Sequence, residues 1–251
     1  MRKVLFYFLS AVVLATGCTQ HKSQKHEVIV KSAILPGDSA HYGLACDGST
    51  DSILVFLPFS CDRLDTFDII RARQQQHIYG RPHIGDELAV IVNPDDREEA
   101  LMVINLEDLK GTWCYQVMPR LIGTDQMTSR MRRRMVEHIP DSMRQMLLTP
   151  REYTLQLKRN NTAMHYGGMH RHTTSDELTP VEYPKVRFYT EWHLYNGRLI
   201  LKADTISGFS KDGAMPVSDT VDIAFLTKDS LVLRFADYTQ SYYRKRESTN
   251  P

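Results

Sequence analysis

The sequence has little of several things, and each shortage excludes a class of protein. Lys and Arg number 31 against 30 acids, so there is no basic excess of the kind a nucleic-acid binder carries. Only four cysteines occur and none form a C-x-x-C pair, which removes zinc ribbons and thioredoxin-like sites. No Gly-x-Ser-x-Gly elbow is present, and no cysteine has an arranged histidine partner. The glycines of "YGRPHIGD" are wrongly spaced for a P-loop or a dinucleotide fingerprint. Beyond the N-terminus no apolar run approaches the roughly 20 residues that a membrane-spanning helix needs. Internal repeats and low-complexity tracts are also missing. What remains is ordinary globular material, 42% hydrophobic and 24% charged, with no cofactor motif and no sign of an enzyme.

The sharpest local signal lies at the start. Arg2 and Lys3 precede an apolar stretch from Val4 to Val13, and "LATGC" places small residues directly before Cys18. This pattern reads as a secretory signal over residues 1–18, and its ending resembles a bacterial lipobox in which Cys18 is acylated. Acyl chains contribute about 0.8 kcal/mol per buried methylene, enough for several together to hold the chain on a membrane. Without Arg2 and Lys3 the balance becomes 29 bases against 30 acids. The polar residues 19–26 read as a tether. Cys46, Cys61 and Cys114 then remain, and three cannot all pair. A bridge between Cys46 and Cys61 is one reading in an oxidising envelope, and three buried thiols is the other.

Residues 27–108 read as a small β-barrel. Strands are expected over Val28–Leu35, His41–Ala45, Ser52–Leu57, Phe67–Gln74, Glu87–Val92 and Leu101–Leu106, separated by turn residues such as "PGDS" and "NPDDREE". The paired acids of that last turn, Asp95-Asp96 and Glu98-Glu99, read as a solvated face. Residues 109–247 have a different texture. Apolar residues at helical spacing from Thr128 to Leu148, among them Met131, Met135 and Met143, predict an amphipathic helical insertion over 125–149, interrupted near Pro140. Strands follow, with Asn196-Gly197 as a type I′ hairpin turn. From Val186 to Leu194 the alternation places Phe188 and Trp192 on one face, with Arg187, Glu191 and His193 on the other.

Two clusters invite chemistry. His165, His170 and His172 are of a type that ligates metals, but their spacing matches no closed site, and solvated or capping roles fit them better. "RMRRRM", Arg130 to Met135, is the one dense basic run. Either its methionines pack on the barrel and leave the arginines in water, or the helix leans on anionic head groups or a partner. The loop His170 to Pro184 reads as a long connection, a candidate flap.

Gly111-Thr112-Trp113, the lipobox, "HIGDELAVIV", "MVINLEDLKGTW" and the closing "SYYRK" together resemble bacterial lipocalin-like lipoproteins. That resemblance implies a mainly β fold: a small N-terminal β-barrel followed by a lipocalin-like antiparallel β-barrel with a helical insertion. It implies that Trp113 packs across the barrel's closed end beneath a basic residue, with Arg244 the first candidate and Arg246 the second. Phe188, Trp192, Phe225 and Phe235 are then expected to line a cavity for a small hydrophobic or amphipathic ligand. The expected setting is the bacterial envelope, at the outer membrane facing the periplasm. The rival expectation is a non-enzymatic interaction module with solid barrels that docks to an envelope protein partner.

Overall fold

The computed structural model describes residues 35–121, 127–141, 144–145, 148–167, 181–184, 187–203 and 218–245. Cys18 and the whole signal segment, the tether, all of Val28–Leu35 except its last residue, Met143, His170 and His172 lie outside the described residues. Among those described, no helix is long and apolar enough to cross a membrane.

The first sheet contains β1 (Ala40–Ala45), β2 (Ile53–Pro58), β3 (Asp65–Asp68), β4 (Ile78–Tyr79), β5 (Glu87–Val92) and β6 (Ala100–Asn105), in the order β3-β2-β1-β5-β6-β4. All its pairings are antiparallel except that of β4 with β6, so the sheet is mixed. It also curls: β3 meets the start of β6 through one bridge between Asp68 and Glu99. Inside the curl lie Leu54, Phe56, Phe67, Leu88, Val90 and Val103. The strand expected over Phe67–Gln74 is two elements. β3 ends at Asp68, whose carboxylate accepts the Ile70 N–H at 2.7 Å. A short helix α1 (Ile70–Gln74) then follows, because that acceptor satisfies a helix N-terminal donor and "IRARQ" has good helix formers.

At the junction Asn105 does similar work, its side chain accepting from the N–H groups of Glu107 and Asp108. That caps α2 (Leu106–Leu109), the helical turn before the tryptophan. The second sheet follows: β7 (Gly111–Val117), β9 (Arg151–Leu157), β10 (Ala163–Tyr166), β12 (Tyr189–Tyr195), β13 (Arg198–Ala203), β14 (Ser218–Leu226), β15 (Ser230–Arg234) and β16 (Thr239–Arg244). These eight strands run in the order β10-β9-β7-β16-β15-β14-β13-β12, every neighbour antiparallel. The two outer strands approach at a bridge between Thr162 and Glu191, making a nearly closed antiparallel barrel. A minor pair, β8 (Arg120–Leu121) with β11 (Val181–Glu182), stands apart from it.

The insertion between β8 and β9 contains α3 (Ser129–Glu137). This helix stops before Pro140, which cannot continue it, and helical residues resume at Asp141, Arg144 and Gln145, with Arg144 N–H donating to Pro140 O at 3.0 Å, as the predicted interruption requires. Met131 is 60% exposed, so it does not pack onto the barrel as the first of the two readings of "RMRRRM" requires. The three remaining thiols are free, with Cys114 buried, Cys46 half-buried and Cys61 exposed.

The two sheets share apolar packing. Ala89 and Ile104 of the first, with Leu106 and Leu109 of α2, belong to the same buried cluster as Trp113, Leu155 and Leu199 of the barrel. Polar contacts add to this: Gly80 N–H donates to Leu226 O at 3.0 Å, and Asn196 N–H donates to the Asp38 carboxylate at 2.8 Å. One end of the barrel therefore rests on the first sheet.

Candidate functional site

Six of the barrel's seven connections sort by length between its two ends, the exception being the short β15–β16 turn over 235–238, which lies with the long ones. The tight turns, after β9 at Asn160-Asn161, after β12 at Asn196-Gly197 and after β14 at Lys228-Asp229, all fall at the end that rests on the first sheet. Asn161, Asn196 and Gly197 have φ of 60°, 50° and 77°, the left-handed backbone that asparagine and glycine tolerate in such turns. The long connections, β7 to β9, β10 to β12 and β13 to β14, all leave the opposite end. We call these ends the floor and the mouth.

Trp113 fills the floor. It is 0% exposed and its indole Nε1–H donates to Leu109 O at 2.8 Å, so α2 supplies the acceptor that a buried indole requires. Arg244 is the register partner of Trp113 across β7 and β16, and its Cζ lies 4.3 Å from the ring centroid. The same guanidinium donates to the carbonyls of Lys110 (2.9 Å), Asp108 and Lys228. It therefore ties the first strand, the last strand and the β14–β15 turn together around one indole. Gly111 is needed for this arrangement: its φ is +140°, and a Cβ there would sit 2.3 Å from Arg244 Nη1.

Toward the mouth the interior turns from leucine to tyrosine. Tyr115, two residues beyond Trp113 on β7, packs edge-on against Tyr242 (5.1 Å between centroids) and Tyr153 (5.6 Å). His165 of β10 stacks on Tyr189 of β12 at 5.7 Å with planes 3° apart, and Phe235 stacks on Tyr238. Tyr189 O–H donates to Asp219 at 2.7 Å, and Asp219 also pairs with Arg187. Burial raises the pKa of Tyr115 and Tyr242, and burial with the Asp219 hydrogen bond raises that of Tyr189, so these phenols stay neutral donors.

His165 completes the layer. Its Nδ1 lies 2.9 Å from the Arg187 carbonyl oxygen, which only accepts, so Nδ1 carries the proton. Nε2 then accepts from Tyr115 O–H at 3.2 Å. Burial pulls the His165 pKa below its ordinary 6.5, since the cation is poorly solvated there. The unfolded chain consequently takes up this proton first as pH falls. The stability due to a neutral His165 is complete above about pH 6.5 and is lost as pH drops from there through the lower folded value. His165→Gln should flatten the stability–pH profile just below pH 6.5 in denaturation series; an unchanged slope would contradict this reading of the ring.

The four residues expected to line a cavity separate. Trp192 is buried in the barrel cluster, its Nε1–H donating to Lys158 O at 2.8 Å, and Phe235 joins the same cluster near the mouth. Phe225 does not: it is 50% exposed on the outer surface. The reason is a register shift in β14 between Ile223 and Phe225, where an extra residue reverses the side-chain alternation. β12 has a similar shift between Tyr189 and Glu191. Tyr189, Trp192 and Leu194 are therefore buried, His193 is buried as well and does not share the exposure of Arg187 and Glu191, and Phe188 is half-buried at the barrel edge instead of sharing a face with Trp192. The mouth tyrosines and His165 were missed as a layer, although the period of two from Trp113 to Tyr115 and from Leu155 to Tyr153 carries the signal.

No protein-family model, curated protein or solved structure matches the chain.

Proposed function

We propose that this chain is a lipid-anchored envelope protein of lipocalin-like type whose barrel carries a small hydrophobic or amphipathic molecule in its mouthward half, without catalysis. The segregation of connections carries this reading. Short turns and a plugged indole close one end, while the three long connections leave from an end lined by tyrosine, phenylalanine and one neutral histidine. Binding residues concentrate where loops cluster on a rigid scaffold, and aromatic rings with a few polar atoms are the usual lining of small-molecule sites. The second reading, an interaction module docking to an envelope protein, draws support from the floor half of the barrel, whose interior is filled by side chains. An eight-stranded barrel is just wide enough for either filling.

Intact mass under non-denaturing conditions, on protein taken from its own membranes, separates the two. A stoichiometric small-molecule adduct is expected; co-purifying protein subunits with no adduct would favour docking and overturn the carrier reading. The anchor has its own test. Cys18→Ser should release the protein from the membrane fraction, and continued retention would refute acylation at Cys18.

A further inference from the structure

We propose that the seam between β10 and β12 is a lateral ligand site, taking a flat, uncharged and mostly apolar molecule through the barrel wall instead of through the mouth. The proposal rests on the carrier reading and gives it a place and a ligand class. Every other junction of the barrel is a ladder, but among the described residues the backbones of β10 and β12 are joined only by the Thr162–Glu191 bridge and the neighbouring bonds between Asn161 and Trp192. Mouthward of that point Ala163 to Gly167 and Phe188 to Thr190 face each other unpaired, and a cleft of about 420 Å³ opens between them. Small-molecule sites fall at about 300–1,000 Å³.

The lining sets the chemistry. Met164, Tyr166, Phe188 and Tyr189 supply apolar surface, and the two buried titratable side chains there are neutral: His165 is spent on Arg187 and Tyr115, and Tyr189 on Asp219. A charged body would lose its hydration with no partner to replace it, which is costly. The parallel stack of His165 on Tyr189 presents flat ring surface to the cleft, and offset stacking favours a planar occupant. Thr162 and Thr190 also belong to the lining, the Thr190 hydroxyl donating to Lys202 O at 3.4 Å, and Thr190 is exposed, so a polar end of the molecule would lie on that side toward water. His165 itself spans the seam to the Arg187 carbonyl, which leaves no room for an added peptide strand and favours a small molecule.

1-Aminoanthracene, planar and uncharged at neutral pH, is a suitable probe. Trp192, two residues beyond Thr190 on β12, serves as the energy-transfer donor. Titrated into the full chain, the probe should show saturable transfer at one equivalent. Thr190→Tyr, which fills the cleft from an exposed position, should weaken binding by about tenfold or more, as overfilling an apolar site does. Phe188→Ala should also weaken it, while Phe225→Ala, on the outer surface of β14, should leave it unchanged. Wild-type affinity in Thr190→Tyr, or a loss in Phe225→Ala as large as in Thr190→Tyr, would overturn the seam site and leave the carrier reading standing. No saturable binding to the wild-type chain would count against both.

Discussion

Trp113→Ala should lower the unfolding free energy by about 3–5 kcal/mol, the range for deleting a large, fully buried aromatic. Its indole is completely covered, bonded to Leu109 O, and capped by Arg244. Little can collapse into the space, because most of the surrounding leucines belong to laddered strands and Leu109 to the capped helix α2. The loss should be seen equally by probes in either sheet, since one buried cluster joins Ala89 and Ile104 to the barrel leucines. Urea denaturation followed by circular dichroism and by Trp192 fluorescence is the measurement. A cost below about 1 kcal/mol, ordinary for a surface position, would mean that the indole seals nothing.

Arg244→Ala is the second large effect, about 2–4 kcal/mol. Three carbonyls, of Asp108, Lys110 and Lys228, would lose a charged donor, and hydrogen bonds to charged groups contribute about 1.5–3 kcal/mol each when buried. The half-exposed setting and shared geometry keep the total well below that sum. The stack on Trp113 adds about 0.5–2 kcal/mol. Arg244→Lys should recover only a minor part, because an ammonium cannot fork to three acceptors while lying flat on a ring. A cycle combining Arg244→Ala with Trp113→Phe should show coupling between the two positions; strict additivity would mean that the ring contact contributes nothing.

Much of this architecture was legible because it follows local rules. β5 spans Glu87–Val92 as its apolar run predicts, Asn196-Gly197 makes its hairpin, and α2 stands where "LEDL" follows an asparagine cap. The placement of Arg244 over Trp113 was reachable only through family resemblance, since no local pattern pairs residues so far apart in sequence. The wall residues were less legible for a definite reason. Alternation is read by counting in twos, and one extra residue in β12 and in β14 reverses every later assignment, which sent Phe225 outward. His165, by residue type and its nearness in sequence to His170 and His172, reads as a metal-ligand candidate. Its actual partners, Tyr115 and Arg187, come from other elements, and a single sequence does not bring those together.

The floor itself is best tested by NMR of the two indole N–H groups and the Arg244 side chain. The account predicts slow hydrogen exchange at Trp113 Nε1, ring-current shifts on the Arg244 methylene and guanidinium protons, and nuclear Overhauser contacts between that side chain and the Trp113 ring. A rapidly exchanging Trp113 indole, with Arg244 resonances at solvent-exposed positions, would contradict it.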